Sequence, residues 1–260
     1  GKLFIAAFIP GILGTVLYSI GVLVMTRINP ALGPAGPRST WTERWRATRT
    51  VWPVLALFGL VMGGIYLGWF SPTEAAAVGA AGAVLVAAVR GVLKRDVLRD
   101  GMMETIEISG TLFLVMMGAA VFNFFIETTQ LPQLLIQAVN SSGLPPLGIM
   151  ALIIAFYVVL GCFMDALSMI LLTVPFVFPV IKALGFDPIW FGIIIVTVVE
   201  IGLITPPIGM NLFVIIGVAK DLKTRDVVRG VVPFILCDIV RVVILVAFPI
   251  LATWLPSTMR

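Results

Sequence analysis

Histidine is absent from this 260-residue chain, and cysteine occurs only twice, as Cys162 and Cys237. Without imidazole a serine-type triad has no base, haem has no usual axial ligand, and zinc loses one of its commonest donors. Two cysteines far apart in apolar runs say nothing about redox compartment. Charge is scarce as well: Asp, Glu, Lys and Arg make up 12% of the chain against 60% hydrophobic residues, with a mean hydropathy of +1.13. A soluble domain of this length needs a charged surface to stay dissolved, and this composition cannot supply one. The apolar residues also come in long runs instead of helical or strand-like stripes, which is the pattern of a protein whose solvent is lipid. The fold class that follows is an all-α polytopic membrane protein.

The net charge of +4 does not point to nucleic acid, because the cations form no basic face. Of 17 Lys and Arg residues, 13 fall in three stretches between apolar runs: Arg27–Arg49, Arg90–Arg99 and Lys220–Arg229. Clusters beside membrane spans are what the positive-inside bias produces. The chain starts at Gly1 with no methionine and no signal n-region, and it reads as a piece of a longer or processed protein.

Along the chain, a span over residues 1–26 is followed by a polar loop, 27–50, rich in Pro, Gly and Arg and expected on the cytoplasmic side. Residues 51–104 read as scaffold helices and an arm. A second span runs from Val51 to Phe70, and Ser71-Pro72-Thr73-Glu74 then announces a helix rich in Ala and Gly, small residues that let helices pack closely in lipid. A fourth span is expected over about Thr105–Ile126, then a short interfacial helix within Thr128–Asn140. The last span, Val231–Leu255, follows a basic loop in the segment 220–260. The Trp residues, Trp52, Trp69, Trp190 and Trp254 among them, lie near span ends as interfacial anchors do.

The informative part is 105–219, which reads as a transport-domain half. Residues 147–184 are apolar for 38 residues, broken at Gly161-Cys162-Phe163-Met164-Asp165. An unbroken helix of that length would run about 55 Å against a hydrocarbon core of about 30 Å. Two half-length legs with a polar tip make a re-entrant hairpin, tolerated where protein or water covers the tip. Counting crossings agrees. If the three basic stretches share the cytoplasmic side, 147–184 must begin and end on the outer one. The next span, 189–218, is interrupted at Gly202-Leu203-Ile204-Thr205-Pro206-Pro207-Ile208-Gly209-Met210-Asn211, where two prolines remove amide donors.

A carboxylate at a hairpin tip beside a discontinuous helix suits coupled transport. Broken helices expose carbonyls to a cation and amide dipoles to an anionic solute. Asp165 offers a hard anionic oxygen, Ser168 and Thr205 neutral ones, and Asn211 an amide. No Lys or Arg lies between Arg99 and Lys182, so Asp165 lacks a local basic partner, which favours a functional reading. Glu200 reads equally as a helix contact or a ligand. Asp238 and Arg241, three apart, read as a structural pair.

These segments resemble the large permease subunit of tripartite ATP-independent periplasmic (TRAP) transporters. The resemblance rests on Phe8-Ile9-Pro10-Gly11, on Ser71-Pro72-Thr73-Glu74-Ala75-Ala76-Ala77-Val78, on Met164-Asp165-Ala166 with Pro175 and Pro179, and on Gly202 through Phe213. Order and spacing match through essentially the entire chain, as the C-terminal part of such a permease; the family's first hairpin and first broken helix are expected before Gly1. The resemblance implies a Na⁺-coupled, elevator-type importer in the bacterial inner membrane and no enzyme. It implies a small carboxylate-bearing solute (a C4-dicarboxylate, sialic acid or 2-oxo acid), a periplasmic substrate-binding protein, a small TRAP membrane subunit and surrounding lipid as partners, and no cofactor besides Na⁺. Carried over by position, Na⁺ would meet Gly161, Asp165, Ser168, Gly202, Thr205 and Pro206, and the solute Ala166, Pro207, Gly209 and Asn211. Where relatives often have Thr after Asp-Ala, this chain has Leu167 and then Ser168.

Three rival readings remain at this point. One is a dicarboxylate or citrate carrier that needs no binding protein. Another is a structural subunit of a membrane complex. The third is an intramembrane aspartyl protease using Asp165 and Asp238. Neither Gly-x-Gly-Asp nor Tyr-Asp occurs, since Met164 and Cys237 precede those two residues, so the protease lacks its usual context.

Overall fold

The computed structural model describes residues 1–259 except 34, 35, 37, 38, 208 and 219–223. Parts of the first and third basic stretches and Ile208 of the broken helix therefore lie outside the described residues. Among the described residues the regular structure is entirely helical. Helices α1 (Lys2–Ala6) and α2 (Phe8–Ile28) form the first apolar rod. They are followed by α3 (Trp41–Tyr66), α4 (Pro72–Val89), α5 (Arg95–Thr128), α6 (Leu131–Ser141), α7 (Pro146–Gly161) and α8 (Ala166–Ala183). The chain continues through α9 (Pro188–Ile204), α10 (Met210–Val218), α11 (Thr224–Ala247) and α12 (Ile250–Ser257). The α1–α2 rod, α3, α4, α5, α8 and α11 are long and apolar enough to cross a membrane.

Local chemistry explains where these helices start. Ser71 Oγ accepts from the Glu74 amide at 3.3 Å while Glu74 Oε2 accepts from the Ser71 amide at 2.8 Å, and Pro72 fills the first helical position. This reciprocal cap satisfies two amide donors that a helix start otherwise leaves without partners. Thr40 and Glu43 build the same cap at the start of α3. That corrects the loop expected over 27–50: its last ten residues, from Trp41, are helix. The fourth span also starts ten residues earlier than expected, at Arg95, and its 34 residues make a rod of about 51 Å. The last span ends at Ala247, and the chain turns at Phe248-Pro249 into α12.

The centre of the molecule is α9. Trp190, Ile193, Ile194, Ile195, Val198, Val199 and Ile201 are all buried, while the face carrying Val196 and Glu200 stays exposed, so the helix is packed around most of its circumference. Helices α1, α7, α8, α11 and α12 pack around it. Trp190 corrects the interfacial assignment: it is 2% exposed, stacks on Phe186 and donates from Nε1 to the Leu245 carbonyl at 2.8 Å. A buried indole needs an acceptor, and α11 provides it. Trp52, Trp69 and Trp254 are exposed, as interfacial anchors require. A satellite cluster of Ile5, Ile65 and Ala75 ties α3 and α4 to α1 and α12.

Candidate functional site

The chain breaks between α7 and α8 at residues 162–165, and again between α9 and α10 at residues 205–209. The structure brings these two interruptions together. A Cβ placed on Gly161 would fall 2.8 Å from the Gly202 Cα, and one on Gly202 would fall 2.5 Å from the Gly161 Cα and 3.2 Å from the Val158 carbonyl oxygen. Only glycine permits such an approach, so the last turns of α7 and α9 lie backbone to backbone. Cys162 Sγ sits 3.8 Å from the Pro206 carbonyl oxygen and 3.2 Å from that of Val158.

On the α8 side, Asp165 is the N-cap. It has extended backbone (φ −70°, ψ 158°), and its Oδ2 accepts from the Ser168 amide at 3.0 Å. Asp165, Ala166 and Ser168 are half-buried. The cap accounts for one carboxylate oxygen and leaves the other available. Toward α10, Thr205 donates its hydroxyl to the Ile201 carbonyl at 2.6 Å, and its oxygen keeps its capacity to accept. Gly209 takes φ +53°, and a Cβ there would press within 3.0 Å of the Thr205 carbonyl oxygen. Pro206 is half-buried, whereas Pro207 and Asn211 are exposed. Among the described residues no hydrogen bond joins Asp165, Ser168 or Asn211 to the facing interruption. Gly161, Cys162, Gly202 and Pro206 make the contact.

A cleft of about 640 Å³ opens beside this point, between α7, the end of α9 and α11. Its walls are apolar (Leu147, Val158, Ile239 and Val246 among them), and Thr205 is the polar side chain that reaches it. Apart from the Cys162 thiol, the donors gathered around the two breaks are oxygens, with one carboxylate among neutral carbonyls and hydroxyls. Such a set fits a hard monovalent cation better than a transition metal.

Two further features escaped the sequence reading. Tyr157 and Thr173, both buried, share a hydrogen bond of 2.6 Å between α7 and α8. Tyr18 on α2 donates to Asp238 Oδ2 at 2.6 Å, while Arg241 lies 3.7 Å from Asp238 Oδ1 and 3.3 Å from Glu200 Oε2. The Asp238–Arg241 pair is present as expected, and Glu200 is resolved as its third member. Asp238 is thus engaged by Tyr18 of α2 and Arg241 of its own helix, and among the described residues no hydrogen bond joins it to Asp165, as a protease dyad would need.

These features define a multi-pass helical membrane protein organised around two facing breaks in its helices, the architecture of a permease. The chain belongs to the family described as "Tripartite ATP-independent periplasmic transporter, DctM component", whose model matches residues 1–251. It is 34% identical to the C4-dicarboxylate TRAP transporter large permease protein DctM of Pseudomonas aeruginosa, over 99% of this chain and 60% of that protein. Identity to the ectoine/5-hydroxyectoine TRAP transporter large permease protein UehC of Ruegeria pomeroyi is 38%, over 98% of this chain and 59% of that one. Identity to the sialic acid TRAP transporter large permease protein SiaM of Vibrio cholerae is 32%, over 99% and 60%. The chain thus spans about three fifths of the length of these relatives. It is an inner-membrane protein of a transporter family, not of an enzyme family.

Proposed function

We propose that this chain forms one side of the translocation site of a Na⁺-coupled TRAP permease that imports a small carboxylate-bearing solute. The observation that carries the reading is the backbone contact of Gly161 with Gly202, which unites the two helix breaks at one place. Broken helices end in carbonyls without intrahelical donors and begin with amides without intrahelical acceptors. Carbonyl ends of α7 and α9 suit Na⁺, with Asp165, Ser168, Thr205 and Pro206 as further oxygens. Amide starts of α8 and α10, with Ala166, Pro207, Gly209 and Asn211, suit the carboxylate.

The relatives are named for different solutes, C4-dicarboxylate, ectoine and sialic acid, of which the first and last are acids by name. Those two acid names support a carboxylate as the recognised group, with the remainder of the solute fixed elsewhere. In this reading the segment 105–219, which holds most of α5 with α6, α7, α8, α9 and α10, moves as a body against α3 and α4, in the elevator manner, with α7–α8 as the re-entrant hairpin. A periplasmic binding protein delivers the solute, and a small membrane subunit braces the static part.

Uptake into proteoliposomes holding the transporter tests this. Uptake is expected to require both an inward Na⁺ gradient and the binding protein. Asp165→Ala and Thr205→Ala are expected to weaken Na⁺ activation with membrane insertion intact. Normal Na⁺ activation in both variants removes the ion assignment, uptake without binding protein favours a self-sufficient carrier, and full transport by Asp165→Asn favours a structural role for the tip.

A further inference from the structure

The polar chain Tyr18–Asp238–Arg241–Glu200 joins three helices at membrane depth and ends two residues before the contact glycine Gly202. We propose that Arg241 and Glu200 are positioning residues: a latch that fixes the last turn of α9, and with it the carbonyls of the ion site, against α2 and α11. The inference rests on the ion-site reading above and adds residues that lie outside both breaks.

Several observations build the latch. Asp238 is 1% exposed and Arg241 has 12% of its side chain exposed, so both charges are withdrawn from solvent. Withdrawn charges persist only when something of opposite sign holds them. Tyr18 supplies a hydroxyl to Asp238, and Arg241 faces Asp238 and Glu200 at once. The guanidinium lies on Gly14 of α2: a Cβ there would sit 3.1 Å from Cζ and 3.2 Å from both Nε and Nη1. One turn toward the basic end, Cys237 Sγ rests against Gly21 and points at the Leu17 carbonyl, 3.5 Å away. Gly14 and Gly21 therefore bring α2 close enough to α11 for the guanidinium to be clamped between them.

Part of the clamp's hydrogen-bonding capacity stays unused, and the contact that reaches α9 is the one to Glu200. Asp238 Oδ1 and Arg241 Nε are buried and make no hydrogen bond among the described residues. Arg241 gives its hydrogen bond to Glu200, at 3.3 Å, in preference to the closer residue in sequence. That bond runs from α11 to α9, and Glu200 is on the final turn before the break, followed by Gly202 and by Thr205, whose amide and hydroxyl close that turn on Gly202 and Ile201. Glu200 keeps 55% of its side chain exposed, and the Arg241 contact is the side-chain bond it makes among the described residues. A displacement of about 1 Å in ligand carbonyls is enough to weaken a coordinated site strongly.

The test uses the complete transporter in proteoliposomes with Glu200→Gln, Arg241→Lys and Gly14→Ala, alongside hydrogen exchange of the 203–205 amides. In Glu200→Gln those amides are expected to exchange about tenfold faster, the equilibrium equivalent of one charge-assisted hydrogen bond. The Na⁺ concentration for half-maximal uptake rises by a similar factor, while the solute half-saturation measured at saturating Na⁺ stays within about twofold. Arg241→Lys gives a smaller effect of the same kind, and Gly14→Ala reproduces it by lifting the guanidinium. Unchanged exchange in folded Glu200→Gln and Arg241→Lys overturns the latch, as does a raised solute half-saturation with Na⁺ dependence untouched. If exchange accelerates in the variants while wild-type uptake is indifferent to Na⁺, the latch stands and the ion reading is what fails.

Discussion

At the level of single residues, a conservative pair of substitutions separates the cap that Asp165 makes from the cation role proposed for it. Its Oδ2 caps α8 through the Ser168 amide, and in the proposed reading its other oxygen meets Na⁺. Asn keeps the cap but loses the charge, whereas Ala loses both. Asp165→Ala is therefore expected to destabilise the tip by about 1 kcal/mol, as N-cap removal does, while Asp165→Asn is nearly neutral in thermal stability. Both raise the Na⁺ requirement. Equal melting behaviour of the two, measured in the same detergent, removes the cap from the account. Gly202 makes a sharper case. Its Cβ position overlaps the Gly161 Cα, and backbone cannot rotate out of the way as a flexible side chain can. Gly202→Ala should cost about 1–3 kcal/mol by overpacking and push α7 off α9, which a cysteine cross-link or a thermal shift would register. The sequence exposed both glycines as the starts of interruptions. Spacing by itself does not show that they face each other, since a 41-residue separation carries no information about which surfaces meet; the family resemblance is what brought them to one site.

Between helices, legibility followed the strength of local signals. The Ser-Pro-Thr-Glu start of α4 was readable because cap, proline and acid act within four residues. The identical chemistry at Thr40 and Glu43 lay hidden behind a run of Pro, Gly and Arg that reads as loop, so the helical residues from Trp41 were missed. Cap logic outweighs composition there, since satisfied amides decide where a helix begins. Thr40→Ala is expected to cost about 1 kcal/mol locally and to speed amide exchange over 42–44, leaving α4 untouched. If exchange there is unchanged, the first turns of α3 are held by something other than their cap. Trp190 failed for the opposite reason. Its place near a span end suggested an interfacial anchor, but its own side of α9 is buried in the bundle, and the indole found its acceptor on α11. Burial is a property of the assembled bundle, which a position along one span does not reveal.

For the molecule as a whole, the remaining question is which way each segment faces. The paired breaks were legible because a Pro-Pro step and a lone carboxylate in apolar sequence are costly without a purpose. The re-entrant path rests on more than cost. α7 has 16 residues, about 24 Å, short of a hydrocarbon core of about 30 Å, whereas α8 has 18 residues and is long enough by itself to cross. Length alone therefore leaves α8 free to span, and the basic stretches decide against it. With Arg90–Arg99 and Lys220–Arg229 on the cytoplasmic side, α5 must exit, α9–α10 must return, and both ends of α7–α8 must stay outside. Single cysteines at Val92, Ser142 and Ala183, all exposed positions, place this under direct test in a background lacking Cys162 and Cys237. An impermeant maleimide applied to the outer face should label Ser142→Cys and Ala183→Cys alike, and Val92→Cys only after the membrane is opened. Labelling of Ala183→Cys from the cytoplasmic side alone would make α8 a full crossing. Its Asp165 end would then lie at the outer surface, and the two breaks would meet at the rim of the bilayer instead of at its middle.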